Sequence, residues 1–572
     1  MKSFGVEKFK SLLLAGSFTV LASYVVRLSD AVLAGNMLGE DALAGVNLAG
    51  PCLSAISFVA NLVATGCGTC YSLAMGRCDR LRARQFFMQA VWTVLIAGGV
   101  LAAAVFFGRD VFLSWFDASP AAAAYARDYL SWIWPIAVFE GAVTLLVSLG
   151  YADGDSKLCA AGYATVFAGN FLFSVAGVKL GFGTAGCAFG SVLAEALGVA
   201  VLAAHFFRPS NSFAPVRHFS LRDTGTIVAA SFGDAAAFLC DGVLFFFLNK
   251  FALSHFGAGV LPVVGVVTAL WGFLQLFNGV GVAIQPIVTV YCGERNTKAA
   301  RMVMNAAMLW SLAEGVALAV AFALAPGLVV GLMGIGDPAT AAQATVAVRW
   351  MAVGFVPLAF AGLFNSYYMF IERSLFAGAV TFLCYLILPV ACMAAGSISG
   401  LGGLWAGLGL GPLLGLAFAS LCVVALSGRR LYPLLLPRDR DAKLHVFNLT
   451  LDETSIVFVS RQVAGALADA GCAEKTVVRA SLLAEEVLLA VRDRNAPRRV
   501  LAEATLDLND GIALTLRDDG EIFDITDADQ QISSLRSFLV ASMMQYHDGR
   551  LNLVTTGFNR NVFRFGDERS EV

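Results

Sequence analysis

Residues 29–51, SDAVLAGNMLGEDALAGVNLAGP, set an acid, Asp30, inside the end of an apolar run that begins near Ser11. The run is long enough to cross a bilayer, and there an aspartate at mid-helix costs about 2.5–3.5 kcal/mol on an insertion scale. Intramembrane acids line a water-filled path or meet a partner. The rest of the chain says which surroundings to expect. Of 572 residues, 58% are hydrophobic and 14% are charged, against about 25% charged in soluble domains. Apolar runs of spanning length recur as far as Ser427. Twelve are counted, near 11–34, 42–72, 86–107, 126–150, 158–178, 185–207, 226–253, 260–290, 303–334, 342–370, 376–396 and 402–427. The first exceeds the apolar core of roughly 7–15 residues found in cleavable signal peptides, and it reads as a span.

Lysine and arginine gather on alternate loops. One side holds Lys2, Lys8 and Lys10, then Arg77, Arg80, Arg82 and Arg84, then Lys157, then Arg208, Arg217 and Arg222. Arg295, Lys298, Arg301, Arg373, Arg429 and Arg430 continue it, while Glu40, Asp41, Asp117 and Asp337 lie on the opposite loops. Basic loops stay in the cytoplasm. The expectation is a multi-pass protein of the inner or plasma membrane with both termini cytoplasmic. The net charge of −2 averages two unlike regions. Most of the twelve cysteines sit in apolar runs as small hydrophobes. Cys67 and Cys70 have redox spacing without the soluble context of a redox motif, and they read as structural.

The halves repeat. GRCDRLRARQFFMQA (76–90) matches GERNTKAARMVMNAA (293–307), aligning Gly76 with Gly293, Arg84 with Arg301 and Ala90 with Ala307. LSDAVL likewise matches LCDGVL, aligning Asp30 with Asp241. A repeat of six spans keeps its orientation and builds two bundles about an axis along the membrane normal, with substrate bound between them. The expected fold is therefore all-α and polytopic, with twelve transmembrane helices in two pseudo-symmetric six-helix bundles, 1–207 and 225–440. The polar stretch 208–224 is the expected cytoplasmic link.

Several stretches together resemble the multidrug and toxic compound extrusion (MATE) transporters. Asp30, Gly35, Leu38, Gly39, Ala42, Leu43, Ala44 and Val46 resemble the family's first-span pattern. GYADGDSK (150–157), GNFLFS (169–174) and GTAGCAFGS (183–191) resemble its loop before the fifth span and its fifth and sixth spans. The resemblance implies that Asp30 takes up the coupling H⁺ or Na⁺, helped by Asn170, Ser174 and Ser191. Ser174 stands where the family usually has an aspartate. Glu195, four residues after Ser191 on the same helical face, is a candidate for the missing carboxylate. Arg27, three residues before Asp30, is a candidate ion-pair partner. Asp241 matches a C-lobe carboxylate of some family members. Glu140 and Glu314 also lie within spans, with no role assigned.

Beyond residue 440 charges become frequent and apolar runs shorten. VLAEATLDLNDGIALTLRDD (500–519) reads as two strands joined by an Asp-Gly turn, and 474–494 has helical apolar spacing. An α+β domain is expected over 441–572, on the cytoplasmic side. It resembles the GHKL-type ATP-binding domain of anti-sigma-factor kinases. By that likeness Glu485 and Glu486 occupy the catalytic helix, while Asp518 and Gly520 begin the adenine box. The likeness is degenerate: Ala490 stands for the Mg²⁺-binding asparagine, Ile522 for a glycine, and SSLRS for the phosphate loop. Without those oxygen ligands and glycines, nucleotide is not expected to bind.

These readings point to a secondary exporter of lipophilic, often cationic compounds, coupled to H⁺ or Na⁺, with a regulatory appendage. It is not expected to be an enzyme or to hold a cofactor. Expected partners are a small-molecule substrate, membrane lipid and a cytoplasmic protein on 441–572, without nucleic acid. Two other readings stay open. A lipid-linked oligosaccharide flippase of the same superfamily would need several cations deep in its cavity, and a membrane-tethered sensor would have lost transport altogether.

Overall fold

The computed structural model describes residues 3–115, 120–208, 211–257, 260–332, 338–427, 440–521, 549–555 and 558–565. The Arg27 side chain, and with it the expected pair with Asp30, lies outside what is described. The apolar runs become helices. The first half holds α1 (Phe4–Leu38), α2 (Glu40–Leu48), α3 (Gly50–Gly76), α4 (Arg80–Leu113), α5 (Pro120–Ile133), α6 (Ile136–Ala152), α7 (Ser156–Lys179) and α8 (Gly183–Leu202). The second holds α9 (Leu221–Phe256), α10 (Leu261–Trp271), α11 (Asn278–Gly293), α12 (Thr297–Leu324) and α13 (Pro326–Leu332). It continues with α14 (Pro338–Phe370), α15 (Ser374–Phe382), α16 (Leu388–Ser397) and α17 (Leu401–Ser427).

Some expected spans break, mostly at proline. The run 42–72 divides into α2 and α3, with Pro51 in the first turn of α3, where no partner awaits its missing N–H. The run 126–150 divides at Pro135 into α5 and α6, which bend by 55°. Ten helices among the described residues have the length and apolarity to cross a membrane, or eleven if that bent pair is one span. This stands against the expected twelve, of which α1 is the first. The link is shorter than expected: α9 begins at Leu221, because Ser220 stops the preceding chain and its carbonyl accepts from the amides of Asp223 and Thr224.

The halves repeat in their turns as well as in sequence. After α3, Cys78 takes a left-handed conformation (φ 63°) while its N–H meets Met75 O and that of Asp79 meets Ala74 O. After α11, Arg295 does the same (φ 61°), with Arg295 bonded to Cys292 O and Asn296 to Tyr291 O. This pair of bonds satisfies the last carbonyls of a helix. Asp79 and Asn296 then cap α4 and α12, accepting from Arg82 N at 2.9 Å and Ala299 N at 3.1 Å. The two turns meet. A Cβ on Gly76 would lie 2.5 Å from Val290 O and 2.8 Å from Gly293 Cα. The glycines matched by the repeat thus mark one place where the halves touch backbone to backbone.

The C-terminal region is α+β, as expected. β1 (Leu444–Thr450) leads to α18 (Glu453–Asp469) and α19 (Glu474–Asn495), then to β2 (Leu501–Asp507), β3 (Ile512–Asp518), β4 (Gly549–Thr555) and β5 (Phe558–Phe565). The strand order is β1-β2-β3-β5-β4, antiparallel throughout. Gly511, at φ 98°, makes the expected Asp-Gly turn. Alternation divides the sheet's faces. Ala502, Ala504, Leu506, Leu514 and Leu516 pack with Val459, Val463, Leu483 and Val487 of the two helices. Glu503, Thr505 and Arg517 turn the other way, toward the bundle.

Small residues set the helix crossings, as is usual where lipid removes the hydrophobic drive between helices. α7 and α8 cross so closely that a Cβ on Gly186 would lie 2.6 Å from the Gly177 carbonyl carbon. Gly186→Val should therefore lower stability by about 1–3 kcal/mol through overpacking. A Cβ on Gly99 would meet nothing within 4 Å, so Gly99→Ala should be neutral or slightly stabilising. Thermal unfolding of the purified variants checks both.

Candidate functional site

Asp30 is buried near the C-terminal end of α1, only 4% exposed. Donors from three other helices converge on it. Tyr129 of α5 donates to Oδ2 at 2.8 Å, and Ser191 of α8 lies 2.6 Å from the same oxygen. Asn170 and Ser174, one turn apart on α7, each reach Oδ1 at 3.3 Å. Ser29 bonds the Asn170 carbonyl oxygen, which turns the Asn170 amino group toward Asp30 and toward Ser191 Oγ at 2.7 Å. The local sequence makes this meeting possible. A Cβ on Gly190 would lie 2.5 Å from Ser174 N, so glycine there lets α8 lie on α7 beside the site.

All four donors are neutral. The carboxylate is held by hydrogen bonds that a proton or a small cation on Asp30 would have to rearrange. Asp30, Asn170, Ser174 and Ser191 also present oxygens, the ligands that hard cations take.

The site opens on a cavity of about 180 Å³ between the two halves. Asp30, Tyr129, Asn170, Ser191 and Glu195 line it from the first half, and Phe238, Asn278, Gln285 and Ser366 from the second. Glu140 lines it too, accepting from Ser57 Oγ at 2.6 Å. Three carboxylates therefore face this space, and among the described lining residues there is no lysine, arginine or histidine. Tyrosines and phenylalanines supply flat apolar wall. Toward the basic loops, Gln285 of α11 donates to Thr65 O and Thr69 Oγ1 of α3, both at 3.1 Å. Beyond that bridge lies the contact of Gly76 with Gly293.

The structure brings Asp30, Asn170, Ser174 and Ser191 together and sets Glu195 one turn farther along the same wall. Asp241 stands apart: it lies on α9, accepts from Trp271 Nε1 at 2.9 Å, and is not among the described lining residues. Tyr129 was missed by sequence reasoning, because a tyrosine in an alanine-rich helix about a hundred residues away carries no local signal. Glu140 carried one, as an acid within an apolar run.

In the C-terminal domain, Asp518 ends β3 and accepts from Gly520 N at 3.0 Å and Asn559 Nδ2 at 2.9 Å. Glu485 and Glu486 are half-buried on α19. A Cβ on Gly520 would lie 2.6 Å from Asn495 Nδ2, and Asn495 is itself fixed by Val491 O and Glu521 N. The Asn495 side chain thus lies directly against Gly520. Ile522 and the SSLRS stretch lie outside the described residues.

A helical bundle of two matched halves enclosing an acidic internal cavity defines a membrane transporter rather than an enzyme. The family model MatE matches residues 16–176 and 236–393, more than half of the chain and one block in each half. The chain belongs to the MatE family. No curated protein matches it in sequence. Among solved structures it is similar to an outward-facing multidrug resistance MATE transporter of the MOP superfamily, with 18% identity and a TM-score of 0.68, over 74% of this chain and 99% of that one. A MOP superfamily transporter from Pyrococcus furiosus, described for the reverse polarity of its binding pocket, is similar over 75% and 97%, also at 18% and 0.68. A MATE protein in complex with MaL6 is similar over 74% and 97%, with 18% identity and a TM-score of 0.66. At these identities the likeness is one of fold. The family match ends at residue 393, short of the C-terminal domain.

Ser191→Ala would leave Asp30 Oδ2 with Tyr129 as its one described donor. A buried acceptor that loses a partner costs about 1–3 kcal/mol. Tyr129→Phe should cost a similar amount, and the double variant should depart from additivity because the two share an acceptor. Denaturation in detergent checks this. In the C-terminal domain, burial pushes the Asp518 carboxyl up to about 6, against hydrogen bonds from Asn559 and Gly520 that favour its charged form. Its penalty is full above pH 6 and fades as pH falls toward the ordinary aspartate value. Asp518→Asn should therefore stabilise the domain at pH 7.5 by more than at pH 5, as read by pulse proteolysis in urea.

Proposed function

We propose that this MatE-family chain is a secondary active exporter that exchanges lipophilic, cationic small molecules for H⁺ or Na⁺. The carrying observation is the cavity between the halves, with three carboxylates, aromatic walls and no cationic side chain among its described lining. A positive substrate gains from these acids, and a flat apolar one from the rings. The same feature weighs against the flippase reading, since a pyrophosphate would meet carboxylates where it needs lysine or arginine. No observation favours the sensor.

Asp30 is the coupling group in this reading. A charged carboxylate in a low-dielectric site is stabilised by its hydrogen bonds, so proton or Na⁺ uptake changes which packing of α1, α7 and α8 is preferred. Asn170, Ser174 and Ser191 supply the oxygens around the ion, and Glu195 supplies the second carboxylate that Ser174 does not. Glu140 is the countercharge for the substrate. Asp241 is a hydrogen-bonded acid outside this machinery. By loop charge both termini face the cytoplasm, and 441–572 is a regulatory domain that takes no nucleotide, since Ala490 stands for the Mg²⁺-binding asparagine and Ile522 for a glycine of the box.

Proteoliposomes loaded with a fluorescent cation, driven by a proton gradient and separately by a sodium gradient, test the coupling. Asp30→Asn should abolish gradient-driven export while the protein stays folded, and undiminished coupled export would remove Asp30 from the mechanism. Glu140→Gln should raise KM for a cationic dye by about tenfold, the worth of roughly 1.4 kcal/mol, with less effect on a neutral one. Titration calorimetry of the full chain with MgATP should give no heat of binding; micromolar affinity would overturn the degenerate reading.

A further inference from the structure

The C-terminal sheet buries a row of polar side chains on the face away from its own helices. Asn448, Glu503, Arg517 and Arg560 are successive cross-strand neighbours on β1, β2, β3 and β5. Glu503, Arg517 and Arg560 are each 2% exposed or less. Buried charges persist only when paired and hydrogen-bonded, and here the helical bundle supplies partners. Phe4 N donates to Asn448 Oδ1 at 2.7 Å, and the Tyr291 hydroxyl donates to Glu503 at 3.0 Å. Arg517 bonds Glu503 at 2.7 Å and also Glu294, at the end of α11. Arg560 Nε meets Glu294 at 2.7 Å, while its amino groups cap the last carbonyls of α3, Met75 O at 2.7 Å and Gly76 O at 2.9 Å. Two guanidiniums and two carboxylates neutralise one another across the boundary. Lys8 with Asp519, Arg301 with Asp441 and Arg295 with Asp510 pin its margins.

The row grips both halves at one point. Arg560 holds the α3 turn of the first half and the α11 turn of the second, where Gly76 and Gly293 touch. Separating the halves at that end would pull Met75 and Gly76 from Glu294 and leave a buried guanidinium with half its partners. We propose that the C-terminal domain is a latch, whose polar row binds the apposed α3 and α11 turns and keeps the cavity closed toward the cytoplasm. This rests on the exporter reading for its effect on transport, but not for the docking itself. The sheet must let go before the cavity opens on that side.

Docking and closure then favour each other by the same factor, since linkage is reciprocal. Hydrogen exchange of the full chain in nanodiscs reads both directions. Arg560→Ala should speed exchange at 73–79 and 291–297 by roughly tenfold, within the range of measured couplings, while β2 and β3 stay protected. Glu294→Gln, outside the domain, repeats the test without risk to the fold of β5. Gly76→Ala leaves every side chain of the row unchanged but forces α3, with the Gly76 carbonyl that Arg560 holds, from α11, and should speed exchange in β5. Initial export rates should rise several-fold in Arg560→Ala and Glu294→Gln. Unchanged exchange at the two turns in Glu294→Gln, or in β5 in Gly76→Ala, overturns the latch. Raised exchange without a gain in export overturns its control of transport. A chain that shows the reciprocal exchange yet exports nothing keeps the latch and loses only the exporter reading.

Discussion

A carboxylate inside a helix bundle is tolerable when its oxygens are answered, and at Asp30 the answers come from three helices at once. Tyr129 arrives on α5, Asn170 and Ser174 on α7, and Ser191 on α8. None of these helices can shift without changing what the acid feels, and no change in the acid's charge leaves them indifferent. The glycines that let α7 and α8 cross closely are part of the same constraint, because bulk at Gly190 would hold Ser191 away. Packing and charge are one problem here, solved at one residue.

The opposite end of the cavity depends on a second constraint. α3 and α11 end in matching left-handed turns, and their glycines lie in contact. Gln285, reaching across to Thr65 and Thr69, adds a polar bridge above that contact. The halves are therefore joined toward the basic loops by backbone on backbone, a contact that depends on the absence of side chains.

Much of this architecture was legible in the chain. Apolar run length gave the helices, and the match of Gly76 with Gly293 marked the repeat, though not the left-handed turns beside those glycines or that they would meet. The strands around the Asp-Gly turn and the helix from Glu474 followed from local alternation and helical spacing. Asn170, Ser174 and Ser191 were found by resemblance, and Tyr129 escaped because its value lies in a contact across about a hundred residues. Asp241 illustrates the limit of repeat logic: it holds Asp30's place in the second half, yet its described partner is an indole and it is not among the residues that line the cavity. Glu503, Arg517 and Arg560 carried no sign of their partners, since alternation tells which residues share a face and not what that face meets.

The sheet that docks on the bundle is covalently joined to it, through the dozen residues that follow Ser427. A tethered domain meets its seat at an effective concentration of millimolar order, whatever the abundance of the protein. Weak individual bonds suffice to keep it seated, and dilution into a larger membrane cannot dislodge it. A free molecule that displaced it would have to outcompete that local excess, so such a competitor must bind tightly, arrive tethered itself, or act by altering the seat.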